Sequence, residues 1–166
     1  AAVSITEDSD TVLTGASSAN SLALTSSGSI ADDANADLAV VGNASFSAGT
    51  SITLGDQAGN AVDFGSVTFN TTAGDVVLTE DSAMSIAGTS VVNGDLTLTG
   101  PGNIDAYGPG GTLTVVGDLN VTAPGGFAWF DYWSGSGHDY QGVVNITARD
   151  SIYILEIGRA SCRERV

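Results

Sequence analysis

Two acidic pairs are the first residues whose types and spacing could do chemistry. Thr6-Glu7-Asp8-Ser9 and Thr79-Glu80-Asp81-Ser82 repeat one tetrapeptide 73 residues apart, and paired carboxylates suit a hard cation such as Ca²⁺. Glu7, Asp8, Glu80 and Asp81 are weak calcium candidates, because neither an EF-hand loop nor the glycine-rich calcium nonapeptide surrounds them. The competing reading is a solvated turn in an acidic chain. Asp32, Asp33 and Asp37 form a second acidic turn with the same two readings. No His/Cys cluster, nucleophile motif or phosphate loop accompanies them, so no cofactor is expected beyond that weak calcium reading.

The other chemistry-bearing stretch is PGGFAWFDYWSGSGHDYQG, residues 124–142. It holds Phe127, Trp129, Phe130, Tyr132, Trp133 and Tyr140, six of the eleven aromatics in the chain. The expected arrangement places Phe127 and Trp129 in the core and leaves Phe130, Tyr132 and Trp133 alternate or looped outward. Exposed aromatics beside Asp131, His138 and Asp139 would stack on a sugar face while the polar groups take its hydroxyls. Trp129, Asp131, Tyr132, Trp133, His138 and Tyr140 are thus candidate glycan-binding residues, against the plainer reading of a local hydrophobic plug. Cleavage of a glycan would need facing carboxylates, or a calcium-held acid cluster beside a base. Apart from His138, Arg149 is the one base before the last eleven residues. A uronate lyase so poor in positive charge could not hold its substrate, and a non-catalytic protein is expected.

Charge narrows the partners further. The 166 residues carry 19 acids, four arginines and no lysine, a formal net charge of −15. Such a chain repels phosphate backbones and anionic membranes, so nucleic-acid binding is excluded, and no apolar run approaches the roughly 20 residues of a membrane helix. Three of the arginines and the single cysteine, Cys162, lie in the last eleven residues, EIGRASCRERV. That string resembles the conceptual translation of a short-read sequencing adapter at all eleven codons, so 156–166 is expected to be non-native. Removing it takes away two glutamates and three arginines, leaving 17 acids, one arginine and a charge of −16. The opening AAVSITEDSD has neither an initiator Met nor an apolar signal stretch, which reads as an internal piece of a longer frame.

The elements that must position these residues come from an internal repeat. VSITEDSDTVLTG at 3–15 aligns with VVLTEDSAMSIAG at 76–88; Leu22 and Leu24 answer Leu96 and Leu98, and Leu38 and Val40 answer Leu113 and Val115. The expected units are 1–75 and 76–155. Within them apolar residues alternate in short pairs, such as Val3/Ile5, Ile52/Leu54 and Val67/Phe69, separated by Gly, Asn and Asp turns. Period two means strands, and no segment carries a helical period. A long repeat built of short strands favours a solenoid, in which stacked coils align like residues into internal columns. A unit of about 75 residues then makes three or four coils, depending on whether each has three sides or two.

The succession ITEDSD...TGASSANSLALTSSGSIADDANADLAVVGNASFSAGTSITLGDQAGNAVDFG resembles the repeats of very large secreted bacterial surface proteins, the filamentous-haemagglutinin-like and autotransporter-like β-helix proteins. The resemblance covers residues 3–122 well and the rest loosely. It implies an all-β, right-handed parallel β-helix, serving as the stalk or filament of an extracellular or cell-surface adhesin whose partners are adjacent repeats and, through the aromatic patch, surface glycans. It carries no catalytic residues over to this chain.

Overall fold

Strands of three to six residues cannot stand alone, so each must find its partners one coil away. In the computed structural model, which describes residues 1–106, 111–130 and 137–154 and the backbone of 161–165, every paired strand runs parallel to its neighbours. The first coil comprises β1 (Ala2–Glu7), β2 (Thr11–Leu13) and β3 (Ala16–Ala19). β4 (Ser21–Ser26) and β5 (Ile30–Asp32) lead into β6 (Asp37–Ala48), which turns a corner into the next coil; β7 (Ile52–Leu54) and β8 (Ala61–Thr71) repeat that pattern. Then come β9 (Val76–Thr79), β10 (Met84–Ser85), β11 (Thr89–Val92), β12 (Leu96–Thr99), β13 (Ile104–Asp105), β14 (Thr112–Val115), β15 (Leu119–Ala123) and β16 (Ala128–Phe130). β17 (His138–Tyr140), β18 (Val143–Ala148) and β19 (Ile152–Ile154) complete the winding, and β20 (Ser161–Arg165) pairs on β18.

Stacking produces three sheets. The first follows β1-β4-β6-β8-β11-β14-β17 with β3 beside β6, the second β2-β5-β7-β9-β12-β15-β18-β20, and the third β10-β13-β16-β19. The protein is therefore a parallel β-solenoid of about six turns, with no helix among the described residues. Each coil has three sides, which decides between the two coil counts left open above. Register partners lie 18 to 25 residues apart, with 19 in Ala2↔Ser21, 25 in Leu113↔His138 and 18 in Val143↔Ser161.

The repeat and the coil do not share a period. Val3 and Ile5 stand in the first sheet, on β1, whereas their counterparts Val76 and Leu78 stand in the second, on β9. Leu22 and Leu24 of the first sheet correspond to Leu96 and Leu98 of the second, and Ile30 of the second to Ile104 of the third. One unit thus occupies about three and a third coils, and each new unit starts one side further round.

Inward residues form the core by stacking in columns. Ile30, Ile52, Val76, Leu96, Leu119 and Val144 are successive register partners in the second sheet, and Leu54, Leu78, Leu98, Val121 and Ile146 form a second column beside them. Both columns are buried and pass without a break from the first unit into the second. Leu24, Phe46 and Phe69 make a third column in the first sheet. Burying each such side chain stabilises the fold by about 1.5–3 kcal/mol, and sharing columns couples the two units.

Candidate functional site

The two units meet where the stacking of strands on the third side is interrupted. Residues 16–19, 37–40 and 61–64 pair in succession there, but the chain lays a turn, not a strand, over 61–64. Side chains of that turn replace the missing strand. Phe64 N–H donates to Glu80 Oε1 at 2.9 Å, and Val62 N–H donates to Asp81 Oδ2 at 3.1 Å. Asp81 N–H donates back to the Val62 carbonyl at 3.0 Å. Ser82 Oγ donates to Asp63 Oδ1 at 2.9 Å, and beyond the turn Phe69 N–H donates to Ser90 Oγ of β11 at 3.2 Å.

Glu80 is only 1% exposed, which corrects the solvated-turn reading for that residue. Its Oε2 has no hydrogen-bond partner among the described residues. Burial pushes the carboxyl up to about 8; the Phe64 N–H opposes this, and the charges of Asp63 and Asp81 add to it. At neutral pH Glu80 is thus largely protonated, accepting through one oxygen with the other carrying the proton. The pair Glu80-Asp81 does the work of a strand edge, supplying acceptors to backbone donors. Glu7 and Asp8 lie exposed at the lower end of the solenoid. Among the described residues no group of three or more His, Cys, Asp or Glu side chains is placed to hold a metal ion.

The acids elsewhere turn out to be wired in the same way. At one corner Asp75 Oδ1 accepts from Asp95 N–H at 2.9 Å, Asp95 Oδ1 from Asp118 N–H at 2.8 Å, and Asp118 Oδ1 from Val143 N–H at 2.8 Å. Each carboxylate thereby caps an N–H one coil above it. The residue packed over each is glycine; a Cβ at Gly117 would fall 2.2 Å from Asp95 Oδ1. The repeated Gly-Asp at 74–75, 94–95 and 117–118 is therefore a stacking device, and its recurrence ahead of an apolar pair was the sequence signal for it. In the second acidic turn Asp32 is buried, and its Oδ2 accepts from Gly55 N–H at 2.8 Å and from Asn60 Nδ2 at 3.0 Å. Burial raises its pKa against those bonds. Asp33 Oδ1 accepts from Asn35 N–H at 2.9 Å, and Asp37 begins β6.

The aromatic stretch adopts the opposite parity from the one expected. Ala128 and Phe130 point into the core, while Phe127 and Trp129 are half-buried on the outer face. The cause is register. Ile104 is buried one coil below and pairs with Ala128, which places Asp105, Trp129 and Tyr153 in one outward column, and a one-residue slip would invert every side chain. Trp129 and Tyr153 lie with ring centroids 5.1 Å apart, and Phe127 meets Trp129 edge-on at 6.0 Å. His138 and Tyr140 are corrected too: both face inward from β17 above Leu113 and Val115 and are buried, so neither reaches a glycan. His138 Nδ1 accepts from Leu113 N–H at 3.2 Å, and its ring stacks on Tyr140. Burial pushes the Tyr140 phenol far above its ordinary range. Asp131, Tyr132 and Trp133 lie outside the described residues. Tyr153 is the outward aromatic that sequence reasoning missed, and Phe127 and Trp129 are those whose side it misplaced.

One family model, described as repeats of unknown function (DUF5649), matches the chain twice, over residues 1–70 and 73–147. No curated protein and no solved structure is matched by the chain.

Proposed function

The chain belongs to this family of repeats of unknown function, and from that premise we propose that it is a structural segment, the stalk or filament of a large extracellular or cell-surface adhesin-like protein, without catalytic activity of its own. The observation that carries this reading is the passage of buried aliphatic columns from the first unit into the second. Units coupled in that way add length to one continuous rod. The acidic, lysine-free composition supports it, because like-charged rods repel and stay soluble. Among the described side chains Arg149 is the one exposed base, which gives nucleic acids and anionic lipid surfaces little to bind there, and no helix among the described residues is long and apolar enough to cross a membrane.

Electron microscopy of the protein as secreted, with its full complement of units, tests the proposal. A thin rod lengthening by about 16 Å per unit, from about 4.8 Å per coil, is the expected result. A globular particle, or glycan turnover by the purified chain, would overturn it.

The outward column of Asp105, Trp129 and Tyr153, with Phe127 beside it, favours a second reading, in which this face stacks on sugar rings while Asp105 accepts from a hydroxyl. Its test is a glycan array run with the wild type and with Trp129→Ala and Trp133→Ala. Binding that falls at least tenfold in Trp129→Ala supports this reading, and the absence of any bound glycan refutes it.

A further inference from the structure

The residues that lock the second unit onto the first recur in the first unit, where they have nothing beneath them. Glu80, Asp81, Ser82 and Ser90 all accept from or donate to residues 62–69. At the same offset of 73 stand Glu7, Asp8, Ser9 and Ser17, identical at all four positions. Backbone geometry recurs as well, since Gly15 and Gly88 hold φ values of 67° and 66°. Gly88 sits over Thr68, whereas a Cβ at Gly15 would meet nothing within 4 Å.

The apolar residues tell the same story. Val76, Leu78 and Ile86 are 1%, 2% and 4% exposed over the coil beneath them. Their counterparts Val3 and Ile5 are 37% and 39% exposed, and with Leu13, Leu22 and Leu38 they line an open apolar cavity of about 260 Å³ at the lower end. A surface that is apolar at its centre, with side-chain acceptors for backbone N–H groups at its rim, fits another solenoid coil.

We propose that the lower end of the solenoid, Val3, Ile5 and Leu13 framed by Glu7, Asp8, Ser9 and Ser17, is a docking surface for a preceding unit of the same repeat. The backbone N–H groups equivalent to those of Val62 and Phe64 in that unit donate to Asp8 and Glu7, as Val62 and Phe64 donate to Asp81 and Glu80. The incoming unit sits one side of the triangle back, because each unit occupies about three and a third coils. This rests on the stalk reading and sharpens it by naming the groups that join units.

The test duplicates residues 3–75 between Ala2 and Val3 of the full chain, so that Glu7 and Asp8 of the original copy become a junction. Glu7→Ala with Asp8→Ala at that junction is expected to speed amide exchange at the inserted copies of Val62 and Phe64 by about tenfold or more, the loss of a bond to a carboxyl acceptor. The same pair of substitutions in the undoubled chain is expected to leave its melting temperature unchanged at high salt, where repulsion between surface acids is screened. Equal exchange in the doubled chain with and without the substitutions overturns the proposal. If the alanine variant fails to fold, Glu7→Gln with Asp8→Asn keeps the acceptors and should restore protection; no restoration also overturns it. Small-angle scattering separates the two levels. A rod about 16 Å longer with silent substitutions removes these residues as the clamp and leaves the stalk standing.

Discussion

Replacing Glu80 by Gln should change how stability depends on pH more than it changes stability itself. The carboxyl is 1% exposed and is raised from 4.5 to about 8 by burial. Between those two pH values the folded chain holds a proton that the unfolded chain has already released. Folded protein binding more protons than unfolded means stability falls as pH rises. The contribution of the neutral carboxyl is therefore fully present below 4.5 and lost as pH climbs through about 8. At about 1.36 kcal/mol per pH unit that interval is worth about 5 kcal/mol, a large part of the total stability of a domain. Glutamine keeps an acceptor for Phe64 N–H and cannot ionise, so it removes this dependence. It adds an N–H where Oε2 now has no partner among the described residues, so Glu80→Gln should be the weaker protein at acid pH and the stronger one above pH 8.

Urea unfolding at intervals from pH 4.5 to 9 measures this, with the slope against denaturant checked to be the same for both proteins. The other carboxyls are common to the two chains, and their repulsion cancels in the difference. The wild-type stability minus that of Glu80→Gln should fall by several kcal/mol across the range, crossing zero on the way. A difference that stays flat within about 0.5 kcal/mol would show that Glu80 ionises normally and is solvated, and the account of the junction would fail.

Three further substitutions probe the stacking devices. Asp95→Ala leaves Asp118 N–H without its acceptor and should cost about 1–2 kcal/mol, read as a fall of a few degrees in the melting temperature, with Asp95→Asn milder. Gly55→Ala should be worse, at 3 kcal/mol or roughly more, because Gly55 has φ +73° and its Cβ would lie 1.9 Å from the Thr79 carbonyl oxygen; chemical denaturation reads the loss. Tyr140→Phe should be neutral or stabilising by up to about 1 kcal/mol, since the hydroxyl is buried with no partner among the described residues; a marked loss of stability would mean the hydroxyl is bonded.

The strands were legible in the sequence because period-two alternation is a local signal, and the pairs Leu22/Leu24, Ile52/Leu54 and Leu96/Leu98 all point inward. Parity at FAWF was not. Both Phe127/Trp129 and Ala128/Phe130 alternate acceptably, and the choice is made by Ile104, a coil away in the chain. The burial of Glu80 was hidden for the opposite reason. An acid beside Asp and Ser looks like a surface turn, and nothing local says that two N–H groups of β8 lie beneath it. A cue was present in the repeat itself: between 3–15 and 76–88 the apolar positions drift, Ile5 to Leu78 and Leu13 to Ile86, while Glu, Asp and Ser hold at 7–9 and 80–82. Apolar columns tolerate such swaps, whereas an acceptor of fixed length does not.

The same wiring accounts for the composition. A solenoid corner breaks the ladder of parallel strands and leaves N–H donors facing the neighbouring coil, and this chain answers them with carboxyl oxygens, from the coil below at Asp75, Asp95 and Asp118 and from the turn above at Asp81 and Glu80. Only a short acceptor beneath a glycine fits there, so Asp and Gly rise together and long cationic side chains have no corner to fill. The negative charge is a by-product of satisfying backbone donors as well as a solubility device. It follows that neutralising a surface acid is not a uniform operation on this protein. Substituting an Asp that caps a coil should cost stability at any ionic strength, because the lost bond is short-ranged. Substituting an exposed acid with no such bond should be mildly stabilising at low salt through relief of repulsion, and indifferent at high salt, where the screening length shrinks to about 3 Å at 1 M.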